Sequence, residues 1–115
     1  MGQGADVIPS LFDEPEIIVE RPLTPREKWL EFHENNLHVY IALRQLALDL
    51  VDRGFEHYAI ATLFEVARWQ HSMRTKDETG YKLNNNYRAY YSRLLMENEP
   101  RLVGFFETRT LHTVD

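Results

Sequence analysis

The 115-residue chain carries 13 Lys and Arg against 18 Asp and Glu, a formal charge of -5, and it contains no cysteine. The missing cysteines exclude a disulfide framework, a thiolate nucleophile and a cysteine zinc site, and the acidic balance argues against a uniformly basic nucleic-acid coat. With 43% hydrophobic residues, the length suits one domain with a modest core, and no apolar run is long enough to span a bilayer.

Residues 1–23 hold three of the five prolines (Pro9, Pro15, Pro22) and an acidic DEPE run. Proline removes a donor and fixes φ, so this segment is expected to be an extended or flexible arm rather than a packed element. Leu11, Phe12, Ile17, Ile18 and Val19 are the arm's candidates for partner binding. The domain proper is expected over 24–109, with a C-terminal tail over 110–115.

Thr24-Pro25-Arg26-Glu27 predicts a capping box, with Thr at the N-cap, Pro at the first helical position and Glu two residues later. A short helix follows to about Glu34, broken by Asn35-Asn36, which also offers a cap to the next helix. Val39, Leu43, Leu46, Ala47 and Leu50 keep helical spacing over Leu37 to Asp52. Ile41, Leu48 and Val51 widen that stripe, so this is expected to be the central helix, ending at Arg53-Gly54.

A third helix is predicted from Tyr58 to about Ser72, with Ile60, Leu63, Phe64 and Ala67 inward and Thr62, Glu65, Arg68 and Trp69 outward. Residues 73–86 read as a charged loop. Within it, Tyr81 to Leu83 alternates like a short strand, and Asn84 to Asn86 can cap a fourth helix over about Tyr87 to Glu97. A fifth, short helix is expected after Glu99-Pro100, with Leu102, Val103, Phe105 and Phe106 closing the core. The fold class is therefore all-α, a compact domain of about five helices.

Charge is unevenly spread. Residues 66–96 contain six basic side chains and only Asp77 and Glu78 as acids. A core helix, a glycine-containing turn and a second helix with polar outward residues have the layout of a helix-turn-helix, with the following loop where a wing would lie. On that reading Arg68, Arg74, Lys76, Lys82, Arg88 and Arg93 contact phosphates, and Thr62 and Trp69 lie nearer base edges. An ordinary helical hairpin explains the same pattern, and Glu65 would repel phosphate unless it pairs with a neighbour such as Arg68.

No metal site is expected. The five histidines lack the i,i+4 pairing with a carboxylate that marks a metalloprotease helix, and no glycine-rich phosphate loop or nucleophile elbow occurs. Catalysis is the least supported class, so neither enzyme activity nor a cofactor is expected.

The segments LFEVARW (Leu63 to Trp69), GYKLNNNYRAYYSRLLM (Gly80 to Met96) and EPRLVGFFETR (Glu99 to Arg109) resemble a group of small uncharacterised proteins common in bacteriophage and prophage genomes. The likeness covers Trp29 to Arg109. It implies a phage-related setting in a host cytoplasm and a single compact domain, and it supplies no activity or site residues. Two functions follow as expectations: binding of nucleic acid, chiefly double-stranded DNA, or capture of a host or phage protein partly through the arm. Homo-oligomerisation is a third possibility.

Overall fold

The computed structural model describes residues 21–75 and 83–107, and every regular element among them is helical. Helix α1 (Pro25–Asn35) starts at the predicted box. The Thr24 hydroxyl accepts from the Glu27 N–H at 3.1 Å, and the Glu27 carboxylate accepts from the Thr24 N–H at 3.0 Å. Two orphan donors of the first turn are thus satisfied. Arg21 adds a two-pronged bond to the same carboxylate, both arms 2.8 Å. The Arg21 guanidinium and the Thr24 N–H together hold Glu27 down to about 2 from an ordinary 4.5.

Asn36 separates α1 from α2 (Leu37–Asp52). Its side chain makes no cap bond to α2; the amide instead donates back to the Phe32 carbonyl at 2.9 Å, closing the end of α1. The end of α2 is a Schellman arrangement. Phe55 N–H donates to the Leu50 carbonyl and Gly54 N–H to the Val51 carbonyl. Gly54 takes φ +97, a left-handed conformation that glycine adopts without a Cβ clash.

Residues 53–59 lead to α3 (Ile60–Thr75), which starts two residues later and ends three later than the sequence predicts. Tyr58, ahead of the helix, donates its N–H to the Phe105 carbonyl at 3.2 Å and so ties this junction to the C-terminal turn. At the next junction the Asn84 side chain accepts from the Asn86 N–H, and a 3-10 turn (Asn85–Tyr87) runs into α4 (Arg88–Asn98).

The count of five helices needs correction. The expected fifth is a single 3-10 turn, Pro100–Leu102, so the described residues contain four α-helices and two such turns. Leu83, the one described residue of the suggested strand, is buried without strand pairing, and Tyr81 and Lys82 lie outside the described residues.

The core is an aromatic seam between α1 and α4, backed by α2 and α3. Trp29 is 5% exposed and stacks on Tyr90, with ring centroids 5.1 Å apart and planes 14° from parallel. Tyr91 meets Trp29 edge-on at 5.5 Å, and Phe64 reaches Tyr91 from α3. Edge-to-face and offset-stacked aromatic pairs each add about 0.5–1.5 kcal/mol beyond area burial. His33 lies in the same seam. Its Nδ1 is 3.2 Å from the Tyr91 hydroxyl, and burial lowers its pKa below the usual imidazole value.

The C-terminal turn closes the other end. Leu102, Phe105 and Phe106 are buried, whereas Val103, expected in the core with them, is 74% exposed; Arg44 of α2 bonds Glu99 at 2.6 Å, and Arg101 pairs with Asp52. α2 is central, as expected, with Val39, Leu43 and Ala47 fully enclosed. Ile41 is the exception. Predicted to widen the core stripe, it lies 61% exposed, because α2 is covered by neighbours on some sides and open on another.

Candidate functional site

His38, in the first turn of α2, stacks with His71, near the end of α3, at a centroid separation of 6.3 Å. Since residues 53–59 also join the far end of α2 to the start of α3, the two helices run antiparallel. Their outward sides bound a groove of about 650 Å³. On α2 it is lined by Ile41, Gln45 and Asp49, successive at i,i+4 and therefore on one face. On α3 it is lined by Trp69 and Met73, again i,i+4, and by Arg74 at the rim.

Trp69 is 63% exposed, Met73 62% and Leu37, one turn before Ile41, 55%. Isolated exposed apolar side chains are normal, but a contiguous group of large ones marks an interaction surface. Leu37, Ile41, Trp69 and Met73 cluster at the end of the hairpin where α2 begins and α3 ends. The groove also has a polarity. Asp49, whose carboxylate accepts from Gln45 at 2.9 Å, lies toward one end and Arg74 toward the other.

Of the eight residues singled out for nucleic acid, the six that are described are dispersed. Arg68 is a brace: its guanidinium donates to Glu65 at 2.6 Å, to the Leu83 carbonyl at 2.5 Å and to the Asn85 side chain at 2.6 Å. It also lies over the Phe64 ring at 5.9 Å. Leu83 and Asn85 tie α3 to the chain entering α4, and the Glu65 carboxylate offsets the guanidinium charge. The pairing of Glu65 with Arg68 follows the expected i,i+3 relation.

Arg88 donates to the Asn85 carbonyl and lines a smaller hollow of about 370 Å³, shared with Ile60, Ala61 and Glu107. That hollow adjoins the first turn of α3, whereas Arg74 is in the last turn, about 21 Å away along the helix at 1.5 Å per residue. Arg93 is half-buried on α4, and Thr62 is exposed on α3. Lys76 and Lys82 lie outside the described residues, as do Leu11, Phe12, Ile17, Ile18 and Val19 of the arm.

Sequence reasoning missed the groove because it assigned Ile41 to the core. The signal lay in Ile41-Gln45-Asp49 as an i,i+4 row distinct from the Val39-Leu43-Ala47 row. It also missed the juxtaposition of His38 with His71, which are far apart in sequence. Among the described residues no three His, Asp or Glu side chains gather as a metal-holding group, and no helix is long and apolar enough to cross a membrane. No family model matches the chain, and neither a curated protein nor a solved structure matches it.

Proposed function

We propose that this protein is a docking module that takes an apolar protein segment, such as one face of an amphipathic helix, into the groove between α2 and α3. The observation that carries the reading is the exposure of Leu37, Ile41, Trp69 and Met73 on one end of one hairpin. Helix-in-groove recognition works through such anchors, with large side chains spaced by one helical turn. Aromatic side chains near the centre of a patch supply the most binding energy.

Three features favour a protein partner over duplex DNA. Arg68 is committed to internal acceptors. Arg74 and Arg88 stand at opposite ends of α3. The seven residues between α2 and α3 exceed the turn of about three or four residues that sets a recognition helix in a DNA-binding helix-turn-helix. Duplex binding by Arg74, Lys76, Lys82, Arg88 and Arg93 is the competing outcome.

The two tryptophans provide the test, because Trp29 is buried while Trp69 is wet. Titrating a stapled amphipathic helix, apolar at i, i+3, i+4 and i+7, should shift the Trp69 emission to the blue, and Trp69→Phe should abolish the shift. An unchanged spectrum at millimolar peptide defeats the docking reading. A gel shift with duplex DNA at low salt that weakens steeply as salt rises, by counterion release, would establish the alternative instead.

A further inference from the structure

The groove carries opposite charges at its two ends. His38, beside α3's last turns, and Asp49 are eleven residues apart on α2, about 16 Å at 1.5 Å per residue. Arg74 projects from the last turn of α3 and so marks the His38 end. Apolar Ile41, Trp69 and Met73 lie on the groove with these charges. A partner of uniform charge would be attracted at one end and repelled at the other. The partner that fits must present apolar side chains flanked by charges in the reverse order.

A copy of the same surface, turned by two-fold rotation, presents that order. An isologous contact places each residue of a patch against its symmetry-related region on the other subunit. Midway between Arg74 and Asp49 lie Ile41 and Trp69, so a two-fold axis at that level sets these two side chains beside their symmetry mates and brings each Arg74 opposite the other copy's Asp49. Resting on the docking reading above, we propose that the α2–α3 face binds a second copy of this chain, forming a four-helix interface with two Arg74–Asp49 ion pairs across it.

The size of the face sets the expected strength. Each helix has 16 residues, about 24 Å of length, and two packed helices present a width of about 20 Å. The resulting face, on the order of 500 Å², falls below the roughly 800 Å² per partner of a standard stable interface. The dimer is therefore a weak, concentration-dependent one, with dissociation in the micromolar range or above.

Sedimentation equilibrium on the full chain tests this. The wild type should pass from monomer to dimer as concentration rises from about 1 to about 500 μM. Ile41→Glu or Trp69→Glu should weaken association by at least about tenfold while leaving the circular dichroism and melting temperature unchanged, since both sites are exposed. Asp49→Arg and Arg74→Glu should each weaken it at low salt by setting two like-charge pairs face to face. Mixing equal amounts of those two variants should restore dimerisation, because both heterodimer contacts then join opposite charges.

A wild type monomeric at every concentration, a dimer indifferent to Ile41→Glu and Trp69→Glu, or a charge mixture that fails to associate would each overturn the proposal. The docking reading is judged separately: a monomeric wild type whose Trp69 emission still responds to the stapled helix sinks the dimer alone.

Discussion

The molecule has two tryptophans in the same kind of sequence setting, each on an amphipathic helix beside apolar neighbours, and it uses them in opposite ways. Trp29 of α1 lies inside the seam formed with Tyr90, Tyr91 and His33. Trp69 of α3 stands in solvent beside Met73 and across the groove from Ile41. The difference comes from what the tertiary structure brings to each. α4 delivers a row of rings onto Trp29, whereas among the described residues nothing covers the corresponding side of the α2–α3 hairpin. The first tryptophan holds the fold, and the second is free to contribute to recognition.

The sharpest way to break that comparison is to truncate both rings. Trp29→Ala should lower the unfolding free energy by about 3–5 kcal/mol, the range for removing a large buried aromatic side chain. Trp69→Ala should change it by less than about 0.5 kcal/mol. Urea denaturation with constant m-values measures both, and similar losses would erase the distinction. Trp29→Phe sharpens it. The buried indole N–H has no hydrogen-bond partner among the described residues, so this change removes an unsatisfied donor together with some packing, and should cost well under the alanine variant.

The arginines extend the contrast at smaller scale. Arg68→Ala removes a charged donor to Leu83 and Asn85 and should destabilise by about 1–2 kcal/mol. Arg74→Ala, at the exposed rim, should leave the melting temperature nearly unchanged. Equal effects would show that Arg68 is no brace. At the edge of the fold, Thr24→Ala should cost about 1 kcal/mol through loss of the N-cap, seen in the same denaturation series.

The smallest expected effect is the pH dependence of Glu27. Its folded value of about 2 lies below the ordinary 4.5, so its contribution is complete above pH 4.5 and fades as pH falls toward 2. The melting temperatures of wild type and Glu27→Gln should therefore differ at pH 6 and converge near pH 2. A gap that persists at pH 2 would mean that the carboxylate's charge is not what matters. The pair is exposed, so added salt should narrow the gap at pH 6 as well.

What could be read from the sequence was the physics of neighbours. The Thr24-Pro25-Arg26-Glu27 start, the Gly54 stop and the Leu63, Phe64 and Ala67 stripe all depend on residues within a turn or two, and all appear as expected. The tie between the start of α3 and the C-terminal turn depends on Phe105, 47 positions beyond Tyr58, through one backbone hydrogen bond. The role of Arg68 depends on acceptors 15 and 17 positions away. Six basic residues close in sequence resemble a charged surface until their partners are known. Ile41 shows the same limit for apolar residues, because periodicity marks a face but does not say what covers it.

The C-terminal turn has a consequence for the order of events during synthesis. Leu102, Phe105 and Phe106 fill the core against elements that begin more than sixty residues earlier, and Arg44–Glu99 and Asp52–Arg101 fasten that turn to α2. α1 and α2 can form local helix as soon as they leave the ribosome, yet Trp29 stays uncovered until Tyr90 and Tyr91 have been made, and the end of the core around Leu102 until Phe106 has. Closure of the core therefore comes last, so chains released before Leu102 should be cleared by proteases rather than accumulate as smaller folded forms.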